Sequence, residues 1–473
     1  MRAVTFSASQ DAKDDGGNFG IRHGEVIAMR ANRRSFIKYA SLAAAGNAMG
    51  LRPFGRLNAL AQSSSDYKAL VCIFLFGGND ANNTLIPFDT SGYGKYASIR
   101  GDLALAQNTL LPLTPAPNFA LNPSLPDIQA LFNSGNAAFV ANVGTLIQPL
   151  TRAEYLAGRT APTNLFSHLD QQQEWQNAAQ SASTQTGWAG RIADSLGASY
   201  NQGAQVPMIT SVAGDTLFCN GIATSPVSIS PGNMGTASCF EGSECSARQA
   251  SAQALLTLDS GISLVQADDT ITSNAYSYAK TLADAVQSIT PLQTVFPANN
   301  GLGAQLKQIA QIIQVRAALG VQRQIFFASL GNFDTHVSQL SSQNALLAEI
   351  SPALAAFYNS TVELDVASDV TAFTMSDFSR TFQPNSNNGS DHAWGSHHMV
   401  IGGAVKGGQI YGTYPTLALG GPDDSDSNGR WIPSTASSQY AATLAEWFGV
   451  PAADLPAILP SIGNFPTANL GFV

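Results

Sequence analysis

The sequence is poor in charge. Asp, Glu, Lys and Arg together make up 12% of its 473 residues, against about 25% in ordinary soluble domains. Acids outnumber bases 32 to 23, a net charge of −9 with an isoelectric point near 5.1. That balance excludes a nucleic-acid binder, which needs a basic face, and gives no attraction to anionic lipid. The 4 cysteines are too few for a disulfide scaffold. None of them forms a C-x-x-C pair, so a thiolate metal cluster is not expected. No run beyond the amino-terminal region reaches the about 20 apolar residues that a membrane span requires.

What is present begins with an address. The run Asn32-Arg33-Arg34-Ser35-Phe36-Ile37-Lys38 matches the twin-arginine export consensus, an apolar stretch follows from Tyr39 to Met49, and Ala59-Leu60-Ala61 offers a cleavage site before Gln62. The bland alternative is a basic stretch leading into an ordinary helix. Order and spacing favour a signal over residues 1–61, read by the translocation machinery and removed. Residues 1–28 are charged and aperiodic, and Met29 fits as the start of a compact leader, MRANRRSFIK. The expected location is periplasmic or secreted. Residues 62–473 are expected to form one soluble domain, long enough for a large core. Cys72 lies in an apolar run and reads as a buried free thiol. Cys219, Cys239 and Cys245 share a Gly/Ser/Asn-rich segment, where one bridge is expected, Cys239–Cys245 or Cys219 with either.

Apolar, β-branched runs at Ala69–Phe76, Ala137–Val143, Gln324–Leu330, Val370–Met375 and Met399–Ile401 read as buried strands. Helical periodicity appears from Leu302 to Leu319, from Leu340 to Tyr358 with Pro352 as a kink or restart, and from Ser437 to Phe448. Strands alternating with helices predict an α/β fold, a three-layer α/β/α sandwich around a mostly parallel sheet. Segments 89–125, 200–250 and 420–435, rich in Gly, Pro, Ser, Asn and Asp, read as long loops or insertions.

The polar residues that follow the strands carry the functional reading. Ala69–Phe76 runs into Gly77-Gly78-Asn79-Asp80, Gln324–Leu330 into Asp334-Thr335-His336, and Val370–Met375 into Asp377-Phe378-Ser379-Arg380. Asp391-His392 and His397-His398 precede the last core strand. Ligands of open α/β sheets bind at the carboxyl ends of the strands, so these groups should converge. Of the 6 histidines, all but His23 lie in these motifs or in Ser167-His168-Leu169-Asp170. Imidazoles beside carboxylates suit zinc, manganese or iron. The alternative is a set of hydrogen-bonded loop braces.

At Gly77–Pro87, Phe333–His336, Ser376–Thr381, Asp391–Gly408 and the endings Gln439–Gly449 and Asn469–Phe472, the chain resembles a family of exported bacterial proteins known as a domain of unknown function, itself similar to the alkaline phosphatase and sulfatase superfamily. The resemblance implies a two-metal centre and a hydroxyl nucleophile at a helix start. It makes Asp80 a ligand of one metal, and Asp334 and His336 ligands of the other with His397 or His398. Asp377 would be the acid of an Asp-His pair whose histidine is replaced by Phe378, with His392 a substitute. Asp391 joins the candidate ligands. Ser167 is the implied nucleophile or a plain N-cap with Asp170, with His168 beside it and Thr84 and Thr145 as weaker choices. Arg380 clamps an anionic oxygen or pairs with Asp377.

Two weaker signals remain. Gly402-Gly403 and Gly407-Gly408 around Lys406 lack the spacing of a phosphate loop and read as a turn. Asp423-Asp424-Ser425-Asp426-Ser427-Asn428-Gly429 could hold calcium, but a solvated turn is the better reading. The expectation is an exported hydrolase of phosphate or sulfate esters, dependent on one or two divalent ions (zinc, manganese, iron or calcium), acting on a small anionic ester. The rival is a sulfatase-like scaffold without turnover, serving in binding or surface assembly.

Overall fold

Strand β1 (Lys68–Leu75) shows why the central sheet is covered on both faces. Ala69, Val71, Ile73 and Leu75 enter one hydrophobic cluster, while Leu70, Cys72 and Phe74 enter another. An unbroken apolar run suits such a strand. The computed structural model describes residues 66–179, 185–232, 243–257 and 261–473. The twin-arginine run, the cleavage site and Cys239 lie outside the described residues.

Strands β2 (Leu85–Pro87), β3 (Leu111–Pro112) and β4 (Phe119–Leu121) form a small antiparallel sheet. Strands β5 (Ala137–Gly144), β6 (Ile209–Ser211), β7 (Val227–Ser228), β8 (Arg323–Leu330), β9 (Val370–Ser376), β10 (Ser396–Gly402), β11 (Ile410–Gly412) and β12 (Thr435–Ala436) join β1 in the nine-stranded sheet. Its order is β11-β5-β10-β9-β1-β8-β6-β7, with β12 also on β5. Every pairing is parallel except those of β10 with β9 and β5. Helices Pro126–Asn133, Gly301–Gln314 and Gln339–Glu363 cover one face, and His168–Asn177, Trp188–Tyr200 and Ser437–Phe448 the other. The expected three-layer α/β/α architecture is the observed one.

The long loop expected at 89–125 instead holds the helix Thr90–Arg100 and two strands of the small sheet. Asp89 caps the helix by accepting from Ser91 N and Gly92 N, while Gly92 and Gly94 lower its propensity and hide it from a sequence reading. Gln339–Glu363 runs through Pro352 as one helix. Cys72 and Cys219 are buried free thiols. Among the described residues no helix is long and apolar enough to cross a membrane.

The register aligns three strand ends. Leu75 pairs with Leu330 on one side and with Ser376 on the other, so the segments carrying Asp334 and Asp377 leave the sheet beside Phe76-Gly77-Gly78. Gly77 and Gly78 make that crossing possible. Both have positive φ (112° and 82°), and a Cβ would strike the backbone at Asp334 on Gly77 and the Phe378 ring on Gly78.

Candidate metal centre

Four side chains from three segments meet at this rim. Asp334 Oδ1 lies 3.0 Å from His336 Nε2 and 3.4 Å from both His168 Nε2 and His392 Nε2. His168, Asp334 and His392 offer ligand atoms that all lie within 4.8 Å of one another, and His336 Nε2 is 2.9 Å from His392 Nε2.

The far nitrogen of each ring is fixed. His168 Nδ1 donates to Asp377 Oδ2 at 2.7 Å, His336 Nδ1 to Asp391 Oδ1 at 3.1 Å, and His392 Nδ1 to the Phe166 carbonyl at 2.7 Å. A proton on Nδ1 leaves Nε2 of a neutral imidazole as a lone pair. The Nε2 lone pairs of His168 and His392 and the Asp334 oxygen therefore face one point, while His336 Nε2 stands at its edge, close to Asp334 and His392 and 3.5 Å from Arg380 Nη1. Such an array is stable when a cation, a proton or a metal ion, lies among them. His168 Nε2 sharpens the point, since it is buried with no hydrogen-bond partner. The spacings of His168 and His392 from Asp334 are close to the about 3.4 Å edge of a tetrahedron with metal–ligand bonds of about 2.0–2.1 Å. The donor set thus fits a divalent metal.

The electrostatics are consistent. Burial opposes charge on Asp334, but the hydrogen bond and charge of Arg380, with His168 and His336, outweigh it and hold the carboxyl at about 2. The hydrogen bond to Asp377 raises the His168 pKa against the pull of burial. Burial lowers that of His392. Asp334 and His336 remain 46% and 40% exposed, so the cluster is open to solvent on one side.

The other expected site residues have different surroundings. Asp377 and Asp391 stand one bond behind the cluster as acceptors for His168 and His336 rather than within it. Asp377 is fully buried and also accepts from Gly77 N at 3.1 Å and Gln172 Nε2 at 2.8 Å. Asp80 is not brought to the cluster. Its carboxylate is paired with Arg100, both fully buried, and accepts from Gln339 and from Asn82 N. His397 and His398 are inside the sheet. One ring lies 4.7 Å from Tyr414 and the other 4.8 Å from Trp175, and burial pushes both down to about 3. Neither can be a ligand of the rim cluster, because every residue of β10 is buried between the two helix layers.

Arg380 is no clamp. It is fully buried, and it donates to the carbonyls of Gly77, Gly78, Phe333 and Ser390 and to Asp334. Ser167 caps its helix, Oγ accepting from Asp170 N at 3.5 Å. Thr84 and Thr145 are buried and donate to the Asp80 carbonyl and Gln171. Phe378 stacks on His392 at 4.7 Å and meets His168 at 4.8 Å, filling the place where a second histidine ligand was expected. Among the described residues one group of side chains that could hold an ion is gathered, not two. The acidic run is a turn tied to the protein: Asp424 accepts from the backbone N–H groups of Gly420, Gly429, Asp426 and Arg430, and Arg152 donates to the Asp424 and Asp426 carbonyls. Sequence reasoning missed Phe166 and Arg430, which frame His392. Neither carries a motif signal.

No curated protein matches the chain. Among solved structures, the lipoteichoic acid synthase LtaP from Listeria monocytogenes is similar at 8% identity, with 81% of this chain and 80% of that one covered and a TM-score of 0.31. Ps i-CgsB is similar at 9% identity, 84% and 77% coverage and a TM-score of 0.35. A protein in the alkaline phosphatase superfamily from Vibrio parahaemolyticus shows 11% identity, 81% and 67% coverage and a TM-score of 0.32. Scores this low say nothing about site residues. One family description, "Protein of unknown function (DUF1501)", matches residues 67–425, most of the chain, and the chain belongs to that family.

Proposed function

We propose that the protein is an exported, metal-dependent hydrolase of phosphate or sulfate esters, working outside the cytoplasm with one ion held by His168, Asp334, His336 and His392. The observation that carries this reading is the convergence of three Nε2 atoms on Asp334 Oδ1, each ring oriented through Nδ1 by an oxygen acceptor. Metal-ligating histidines have this outer support. Three nitrogens and one carboxylate suit zinc, iron or manganese better than calcium, which prefers an all-oxygen cage.

Such an ion supplies Lewis-acid polarisation of an ester oxygen and increased acidity for water. The chain does the rest. Asp377, Asp391 and the Phe166 carbonyl fix the tautomers, Arg380 keeps Asp334 ionised, and Phe378 closes the back wall against water. With Ser167 capping a helix and both threonines bonded internally, water is the nucleophile we assign. The twin-arginine route carries folded proteins, so an ion can be loaded before export.

A second reading, a binding or surface-assembly protein without turnover, draws on Arg380, whose donors are all turned to protein groups, carbonyls, Asp334 and His336 Nε2. Purified protein supplied with zinc, manganese or iron separates the two. Cleavage of aryl phosphates or sulfates that His336→Ala abolishes supports the hydrolase. An ion retained without turnover on a broad ester panel supports the second reading.

A further inference from the structure

With Arg380 occupied, Arg430 is a second cation beside the site. Arg430 is interlocked with His392: its Nε donates to the His392 carbonyl at 2.7 Å, and its guanidinium lies 4.4 Å over the ring of Phe166, whose own carbonyl takes His392 Nδ1. On its other side Nη1 donates to Asp426 Oδ2 at 2.8 Å. Asp426 is itself tied down, accepting from Ser427 N, Asn428 N and Asn428 Nδ2. Arg430 is thus held by a carbonyl, a carboxylate and an aromatic face. It stays 24% exposed, and among the described residues no protein acceptor meets Nη2.

A guanidinium fixed in this way loses little side-chain freedom when it takes a further partner. Its open edge, on the residue that grips His392 from outside, is suited to the oxygens of a tetrahedral anion. We propose that Arg430 is the anion-recognising residue of this site, taking a sulfate or phosphate oxygen through Nη2 while the rest of the group faces His168, His336 and His392. This rests on the hydrolase reading for its substrate class, but anion binding needs no turnover and can be measured alone.

The experiment is calorimetric titration of the full-length exported protein with inorganic sulfate and inorganic phosphate, beside Arg430→Gln and Arg430→Lys, with metal content measured on all three. The expected result is that Arg430→Gln weakens the anion by about tenfold or more, the loss of one charge-assisted hydrogen bond. Arg430→Lys should recover part of that loss, and metal content should be the same in all three. No anion binding by the wild-type protein, or equal binding by Arg430→Gln, overturns the proposal. Loss of metal together with the anion also overturns it, because Arg430 would then act by positioning His392. A wild-type protein that binds the anion and cleaves no ester leaves Arg430 as assigned and sinks the hydrolase reading instead.

Discussion

His392 and His397 stand on one approach to the same strand and end in opposite states. His392 precedes β10, so its Nδ1 can reach the Phe166 carbonyl and its Nε2 turns to the rim. His397 lies inside β10, where its Nδ1 accepts from Asn142 N at 3.0 Å and its buried Nε2 has no partner. The same contrast separates two acids that both follow parallel strands and both meet an arginine. Asp334 is half-exposed among imidazoles, while Asp80 is sealed with Arg100. A histidine or acid near a strand end reaches the open rim only when it leaves the sheet before the helix layers close over it.

The sealed pair should give the largest response to mutation. Asp80→Ala leaves Arg100 buried and unpaired and should cost about 3–5 kcal/mol, read by urea or thermal unfolding. A loss under about 1 kcal/mol would show that Asp80 is not the brace described here.

Glu174 is the next sealed acid. It is 3% exposed, and burial raises its pKa from 4.5 to about 7 against the hydrogen bond from Gln171. Between those values the unfolded chain has released the proton and the folded chain keeps it, so stability falls as pH rises from 4.5 to about 7 and then levels. The total is at most about 3 kcal/mol. Glu174→Gln should remove this slope and be more stable than wild type at pH 8. An unchanged slope would refute the assignment.

Behind the rim cluster, Asp377→Ala frees His168 Nδ1 and should weaken metal binding by about 10- to 100-fold. Competition with a chelator measures this, and unchanged affinity would remove Asp377 from the support of the site. The smallest effect is expected at His398: His398→Gln should leave metal content unchanged. A lost ion there would reverse the contrast between rim and sheet.

The sheet was legible because buried parallel strands are written as apolar runs, and their order brings Gly77, Asp334 and Asp377 to one edge. Asp334 and His336 were expected together with His397 or His398, whereas His392 takes that place beside them. Several features could not be anticipated. Arg100 claims Asp80 from a helix disguised by Gly92 and Gly94, and Arg430 emerges from an acidic turn without any motif. The helix Ser263–Gln287 is rich in Ser, Thr and Asn, residues whose side chains compete with the backbone and dilute a helical signal. Whether Asp377 and Asp391 touch an ion or hold the ring that does depends on a few ångströms that spacing does not encode.

The most direct test of the account is elemental analysis of the protein as exported, beside His336→Ala. The account predicts about one zinc, iron or manganese per chain in the wild type and a large loss in the variant. A wild-type protein free of such metals that takes up none when supplied, or one whose metal content ignores His336→Ala, would contradict it.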